Sequence, residues 1–242
     1  MIDRTARHRL DRRDFVRLGL LAGPTALVAA CGWDGGGLIR PKLRAISRLN
    51  DWVGEKLLVA SDRLAPTYPT SARAGHMPSY FISRRTPVPR DPANWALEVG
   101  GLVRHPMRFT RSMLELLPPL SYTVKHFCVE GWTTIASWSG VPVTTIAALV
   151  EPLPEARYLR FESFDNNYFN GWDLASAMHP QTMLAYAFND QPLMPDHGAP
   201  VRLYATVKLG YKLTKYLTRM TFTRERPGGY WEDQGYPWFA GI

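Results

Sequence analysis

Two cysteines occur in the 242 residues, and their surroundings differ. Cys128 stands in His126-Phe127-Cys128-Val129-Glu130-Gly131-Trp132, at the end of a β-type run and just ahead of a glycine. A strand ending in a glycine-containing loop can present one thiolate to a ligand, and a thiolate is a soft donor suited to a soft or high-valent metal centre. A lone cysteine is more often a small buried hydrophobe, so spacing alone leaves Cys128 undecided. Glu130 is either a proton relay or a carboxylate hydrogen-bonded to nearby backbone. Trp132, Trp138 and Trp172 form either an apolar mouth or core, and the role of the polar run Asp165-Asn166-Asn167 after Ser163 is open.

These residues need a scaffold, and β-branched and aromatic runs supply it. Strands are predicted at Ala96–Val99, Ser121–Phe127, Tyr158–Phe161, Val201–Thr206 and Tyr216–Phe222, separated by Gly or Pro turns. Short helices are predicted at Thr110–Leu117, with Thr110 as N-cap and Pro118 beyond it, at Thr144–Leu149 after a turn at Gly140–Pro142, and at Leu174–Met178. Leu43, Ile46, Leu49, Val53 and Leu57 recur at helical spacing, so residues 42–58 read as an amphipathic helix. Its stripe is most simply core packing, with membrane attachment the weaker alternative. Residues 65–92 form a long loop rich in Pro, Ser and Arg, of the kind that often carries function. Strands dominate without a βαβ repeat, which gives a mixed, sheet-rich α+β domain over residues 65–242.

The formal charge of +8 is concentrated at the start, where Arg4, Arg7, Arg9, Arg12, Arg13 and Arg17 outnumber Asp3, Asp11 and Asp14 and leave +5 beyond. No basic run interleaved with aromatics suggests a nucleic-acid face. Residues 1–31 have the layout of a signal peptide, basic and then apolar from Leu18 to Ala30. Arg12-Arg13-Asp14-Phe15-Val16 is similar to a twin-arginine export signal, which carries folded, commonly cofactor-loaded proteins. Val28-Ala29-Ala30-Cys31 is similar to a lipobox, which would make Cys31 a lipidation site and leave Cys128 as the one remaining thiol. Gly35-Gly36-Gly37 reads as a joint within a segment, residues 32–64, of linker and helix.

From about Tyr80 to Ile242 the chain resembles the sulfite oxidase family. KHFCVEGWTTIASWSGVPVTTI is similar to that family's cysteine segment, specifically in its bacterial periplasmic methionine sulfoxide reductase branch, and HGAPVRLYATVKLGYKLTKYLTRM, residues 197–220, to its second signature. The resemblance implies a molybdenum–molybdopterin cofactor with Cys128 as metal ligand. It places Tyr80, Phe81, Arg84, Ser163, His197, Arg202, Leu213, Thr214 and Lys215 against the cofactor. The cofactor carries a phosphate, for which Arg offers a planar fork and Lys a point charge. Lys208 and Lys212 rank second. The Pro87-Val88-Pro89 anchor aligns Ser83 with the arginine that sulfite oxidases keep near their anionic substrate, leaving Arg84 or Arg85 as substitute cations.

The resemblance therefore implies two-electron oxygen-atom transfer, with sulfoxides or related S-oxides as substrates and sulfite oxidation as the alternative. A cofactor-free envelope lipoprotein that kept the fold is the reading from another class. The chain carries no haem-binding extension, so the expected electron source is a haem-containing membrane subunit. The expected location is the periplasm or the outer face of the cytoplasmic membrane, reached through the twin-arginine machinery.

Overall fold

Ten strands and a few short helices emerge from these patterns in the computed structural model, which describes residues 45–55, 64–165 and 167–242. The signal segment, Cys31, the glycine joint and both ends of the helix expected over 42–58 lie outside the described residues. The chain divides into residues 1–46 and 47–242. The second unit holds everything described below apart from the first two residues of α1, whose described residues are 45–55.

β1 (Ala96–Gly101), β2 (Met107–Thr110), β5 (Tyr158–Ser163), β6 (Phe169–Asp173) and β10 (Leu217–Thr223) form one sheet in the order β2-β1-β10-β5-β6. Its β1–β10 pair is parallel and the rest antiparallel. The second sheet is antiparallel, with order β3-β4-β7-β8 for β3 (Leu120–Phe127), β4 (Thr133–Pro142), β7 (Met183–Phe188) and β8 (Gln191–Pro192), while β9 (Arg202–Tyr204) also pairs with β7. Leu97 and Val99 of β1, Phe161 of β5, Trp138 of β4 and Leu203 of β9 belong to one buried cluster. A mixed, sheet-rich α+β architecture is thus what the sequence folds into.

The helices form where local chemistry starts and stops them. In α2 (Arg111–Glu115) the Thr110 hydroxyl accepts the Met113 N–H at 3.2 Å, and in α4 (Leu174–Ala177) Asp173 accepts the Ser176 N–H at 2.7 Å. α3 (Val143–Val150) buries Val143, Ile146, Ala147 and Val150, a spacing that puts one apolar stripe on the core.

Two expectations give way. Gly140–Pro142 is the end of β4 and no turn, because β7 approaches so closely that a side chain at Gly140 would strike the Leu184 carbonyl. α1 does not pack through its apolar stripe: Leu49, Trp52 and Val53 are exposed. It docks instead through buried Asp51, which accepts the N–H groups of Trp238 (3.1 Å) and Phe239 (2.8 Å), and through Gly54, where a Cβ would lie 2.8 Å from the Phe239 ring.

Candidate active site

Cys128 opens the five-residue loop between β3 and β4. The last strand pair is Phe127 with Thr133, and the loop closes on itself as Cys128 N–H donates to Trp132 O (3.0 Å) and Gly131 N–H to Cys128 O (3.1 Å). Gly131 sits at φ +89, a region that glycine enters without penalty. The loop carries the half-buried thiol into a cleft of about 370 Å³. Burial pushes that thiol above its ordinary pKa.

The inner wall of the cleft is positive. Arg202, at the start of β9, is 2% exposed and donates to the carbonyls of His197 (3.1 Å) and Leu213 (3.2 Å). Lys215 donates to the carbonyls of Tyr80 (2.9 Å) and Asp196 (2.7 Å). Neither cation joins a carboxylate in an ion pair among the described residues. Burial lowers Lys215 to about 7 and Arg202 to about 10, with Arg202 adding to the effect on Lys215. His126 and His197 are held neutral, at about 3 and about 4, by burial first and then by Arg202 and Lys215. The Tyr216 hydroxyl, in the same wall, is buried with no partner.

The outer wall is aromatic. Tyr80, Trp132, Tyr211, Trp231 and Tyr236 line it, with Tyr80 and Trp132 ring centroids 6.3 Å apart. Glu130, exposed at this end, accepts the Trp132 indole N–H at 3.1 Å and raises the Tyr80 hydroxyl's pKa by hydrogen bonding to it. The carboxylate therefore bonds to neighbouring side chains, not to backbone.

Residues 85–231 match the oxidoreductase molybdopterin-binding domain. A protein of Azospira oryzae, named as a candidate protein-methionine-sulfoxide reductase subunit YedZ1, is 38% identical over 231 residues, 95% of this chain and 87% of that one. The chain belongs to the molybdopterin-binding oxidoreductase family. The catalytic subunit MsrP of a Campylobacter jejuni protein-methionine-sulfoxide reductase is 27% identical over 257 residues, covering 96% of this chain and 80% of that one. The crystal structure of the sulfane dehydrogenase SoxCD from Paracoccus pantotrophus shares the fold, with a TM-score of 0.53 and 22% identity over 68% of this chain and 46% of that one. The family makes this chain an enzyme that uses a molybdenum–molybdopterin cofactor, against the reading as a cofactor-free lipoprotein.

The cleft suits a molybdopterin. Among the described residues no group of three or more His, Cys, Asp or Glu side chains could hold a metal by itself. A metal at Cys128 would draw its other donors from the cofactor, and a soft thiolate matches a dithiolene-bound molybdenum. Arg202, Lys215 and the unpartnered Tyr216 hydroxyl are groups that an anionic, hydrogen-bonding cofactor would satisfy.

The cleft brings together most residues the sequence singles out for a molybdopterin enzyme: Tyr80, Phe81, Cys128, Glu130, Ser163, His197, Arg202, Leu213 and Lys215 all line it. Arg84 is exposed and outside the lining, and Thr214 is buried behind it, donating to Asn170 Oδ1 at 2.9 Å. Lys208 and Lys212 are spent on buried ion pairs, Lys208 with Asp173 at 2.9 Å and Lys212 with Glu232. Trp138 and Trp172 are core, Trp138 stacking on Tyr204 at 4.1 Å, so Trp132 alone of the three reaches the cleft. Asp165 gains a role, since it accepts the Ile82 N–H and the Ser83 hydroxyl and so ties the long loop across the cleft. Asn166 lies outside the described residues. Met77, Tyr168, Trp231 and Tyr236 line the cleft without having been singled out, and no local pattern marks the tail residues Trp231 and Tyr236 as its wall.

Proposed function

We propose that the protein reduces neutral S-oxides, with methionine sulfoxide, free or in proteins, as the first substrate. The observation that carries this reading is the outer wall, where aromatic rings stand beside the carboxylate of Glu130. An anion such as sulfite would meet that negative charge, whereas a neutral sulfoxide needs shape and a hydrogen-bond donor. Ser83 bonds to Asp165 and Arg84 lies away from the cleft, so neither adds positive charge at the entrance. The names of both relatives point to the same substrate class.

When bound, the molybdenum cofactor supplies the two-electron centre that takes the oxygen atom. Overall, one sulfoxide, two electrons and two protons give one thioether and one water. Cys128 would ligate the metal and Arg202 and Lys215 would neutralise the cofactor's anionic group, with Tyr80, Phe81, Ser163, His197 and Leu213 as its further contacts. Tyr80 and Trp132 give the thioether part an apolar surface to pack on, and Glu130 moves a proton from solvent towards the cleft. Electrons come from a membrane subunit containing haem. Export through the twin-arginine machinery places the protein on the outer face of the cytoplasmic membrane, with Cys31 lipidated.

The test is turnover by metal-loaded protein of methionine sulfoxide with reduced viologen, beside sulfite with an oxidising acceptor. Sulfoxide turnover is expected, and it should slow in Glu130→Gln. Rapid sulfite turnover with none of sulfoxide would overturn the assignment.

A further inference from the structure

A helix at the surface of a domain ordinarily turns its apolar stripe inward. α1 does the reverse. Its inward side is Asp51, which bonds to the backbone of Trp238 and Phe239 and to Arg226, and Gly54, whose missing side chain admits the Phe239 ring. On the opposite side, Leu49 is 58% exposed, Trp52 57% and Val53 37%. At 3.6 residues per turn these three lie within one arc, roughly opposite Asp51 and Gly54. The stripe is therefore held outward by a hydrogen-bonded dock on the other face.

We propose that this face of α1 is a membrane-surface site, seated in the headgroup region of a bilayer rich in anionic lipid. Charge supports lipid as the occupant: residues 38–58 carry five basic side chains, Arg40, Lys42, Arg44, Arg48 and Lys56, against two acidic ones, Asp51 and Glu55. Asp51 is turned inward and spent on the tail, which leaves Glu55 as the one acidic residue of this segment to offset its five basic ones. Basic residues around a stripe of Leu, Val and Trp are the make-up of an interfacial helix, and Trp favours the headgroup level. No described helix is long and apolar enough to cross a membrane. Thirteen residues separate Cys31 from Ala45, a tether of up to about 45 Å when extended. A single acyl chain holds a protein only marginally, and a second apolar and basic contact is what makes such anchoring stable. The inference rests on the envelope location proposed above, but not on the substrate.

The test uses the metal-loaded Cys31→Ser protein recovered from the soluble envelope fraction, so that no acyl chain contributes. It is sedimented with vesicles of phosphatidylethanolamine and phosphatidylglycerol, and with phosphatidylcholine vesicles, beside the same protein carrying Leu49→Ser and Trp52→Ser. Binding to the anionic vesicles is expected, weaker to phosphatidylcholine, and lowered at least about tenfold by the two exposed substitutions, with metal content and viologen-linked turnover unchanged. The proposal is overturned if the Cys31→Ser protein stays in the supernatant, or if the doubly substituted chain sediments equally well. A dimer of the Cys31→Ser protein that the substitutions split would mean that a second copy covers the face. Sedimentation with native membranes but not with vesicles would mean that a membrane protein does. Each of these outcomes leaves sulfoxide turnover, and the function it supports, intact.

Discussion

Replacing Arg202 with Met separates the two things its guanidinium does. Burial lowers its pKa from 12.5 to about 10, and at about 1.4 kcal/mol per pH unit this sets about 3 kcal/mol against the charged form in a fold with no anion beside it. Substitution relieves that cost but strips donors from the carbonyls of His197, Leu213 and Leu203, a loss of roughly 1–3 kcal/mol. The cofactor-free chain should therefore change in stability by no more than about 2 kcal/mol in either direction. With the cofactor's anionic group in place, the same substitution removes the cation of a buried pair, a loss of about 3–5 kcal/mol, or roughly 10² to 4 × 10³ in cofactor affinity. Urea denaturation of the cofactor-free proteins measures the first quantity. Molybdenum per chain, by mass spectrometry of protein made in cells that supply the cofactor, measures the second. The native chain should be close to fully loaded and the variant below about one tenth. A fully loaded variant whose cofactor-free form has lost more than about 4 kcal/mol would make Arg202 a structural support and refute the reasoning.

Four further outcomes follow from named contacts. Cys128→Ser should lose molybdenum or change its electronic spectrum markedly, because a hydroxyl is a harder and poorer donor than a thiolate; an unchanged spectrum at full loading would remove the ligand assignment. Lys215 is held at about 7 by burial, below its ordinary 10.5, so above pH 7 the unfolded chain binds a proton that the folded, cofactor-free chain does not. Cofactor-free stability should therefore rise from pH 7 towards 10, and urea titrations across pH should show that rise vanish in Lys215→Met. Gly198→Ala forces a side chain onto φ +104 and to within 2.8 Å of the Lys215 Cβ, so denaturation should register a loss of about 2–3 kcal/mol, together with lower metal content. Asp165→Ala frees Ile82 and Ser83, so trypsin should cut at exposed Arg84 and Arg85 about tenfold faster, read on a gel time course.

Local chemistry was readable in the sequence, and the parts that depend on distant neighbours were not. β3, β5 and the cap at Thr110 follow from runs and residues adjacent in the chain. The loop that presents Cys128 follows from Gly131 at the end of a β-run. β4 escaped because Gly140 signals a turn locally, while its glycine is required by β7 more than forty residues away. α1 has the right period, but periodicity names a stripe without saying which side meets the core, and Asp51 reverses the usual answer. Arg202 and Lys208 are alike as isolated cations. One faces the cleft unpaired and the other is neutralised by Asp173; the resemblance ranks Arg202 ahead of Lys208, and the packing of β6 supplies the physical reason.

The clasp between Asp51 and the tail also has a kinetic side. Its bonds to Arg226, Trp238 and Phe239 join residues 175, 187 and 188 apart in the chain. Contacts at such separation demand the largest loop-closure entropy, and they form after the hairpins and helix caps have assembled around them. The segment they secure also carries Trp231 and Tyr236, two of the five residues of the aromatic wall. The entrance to the cleft is accordingly among the last parts of the protein to be completed, and opening it locally costs only the contacts of one tail, not those of either sheet.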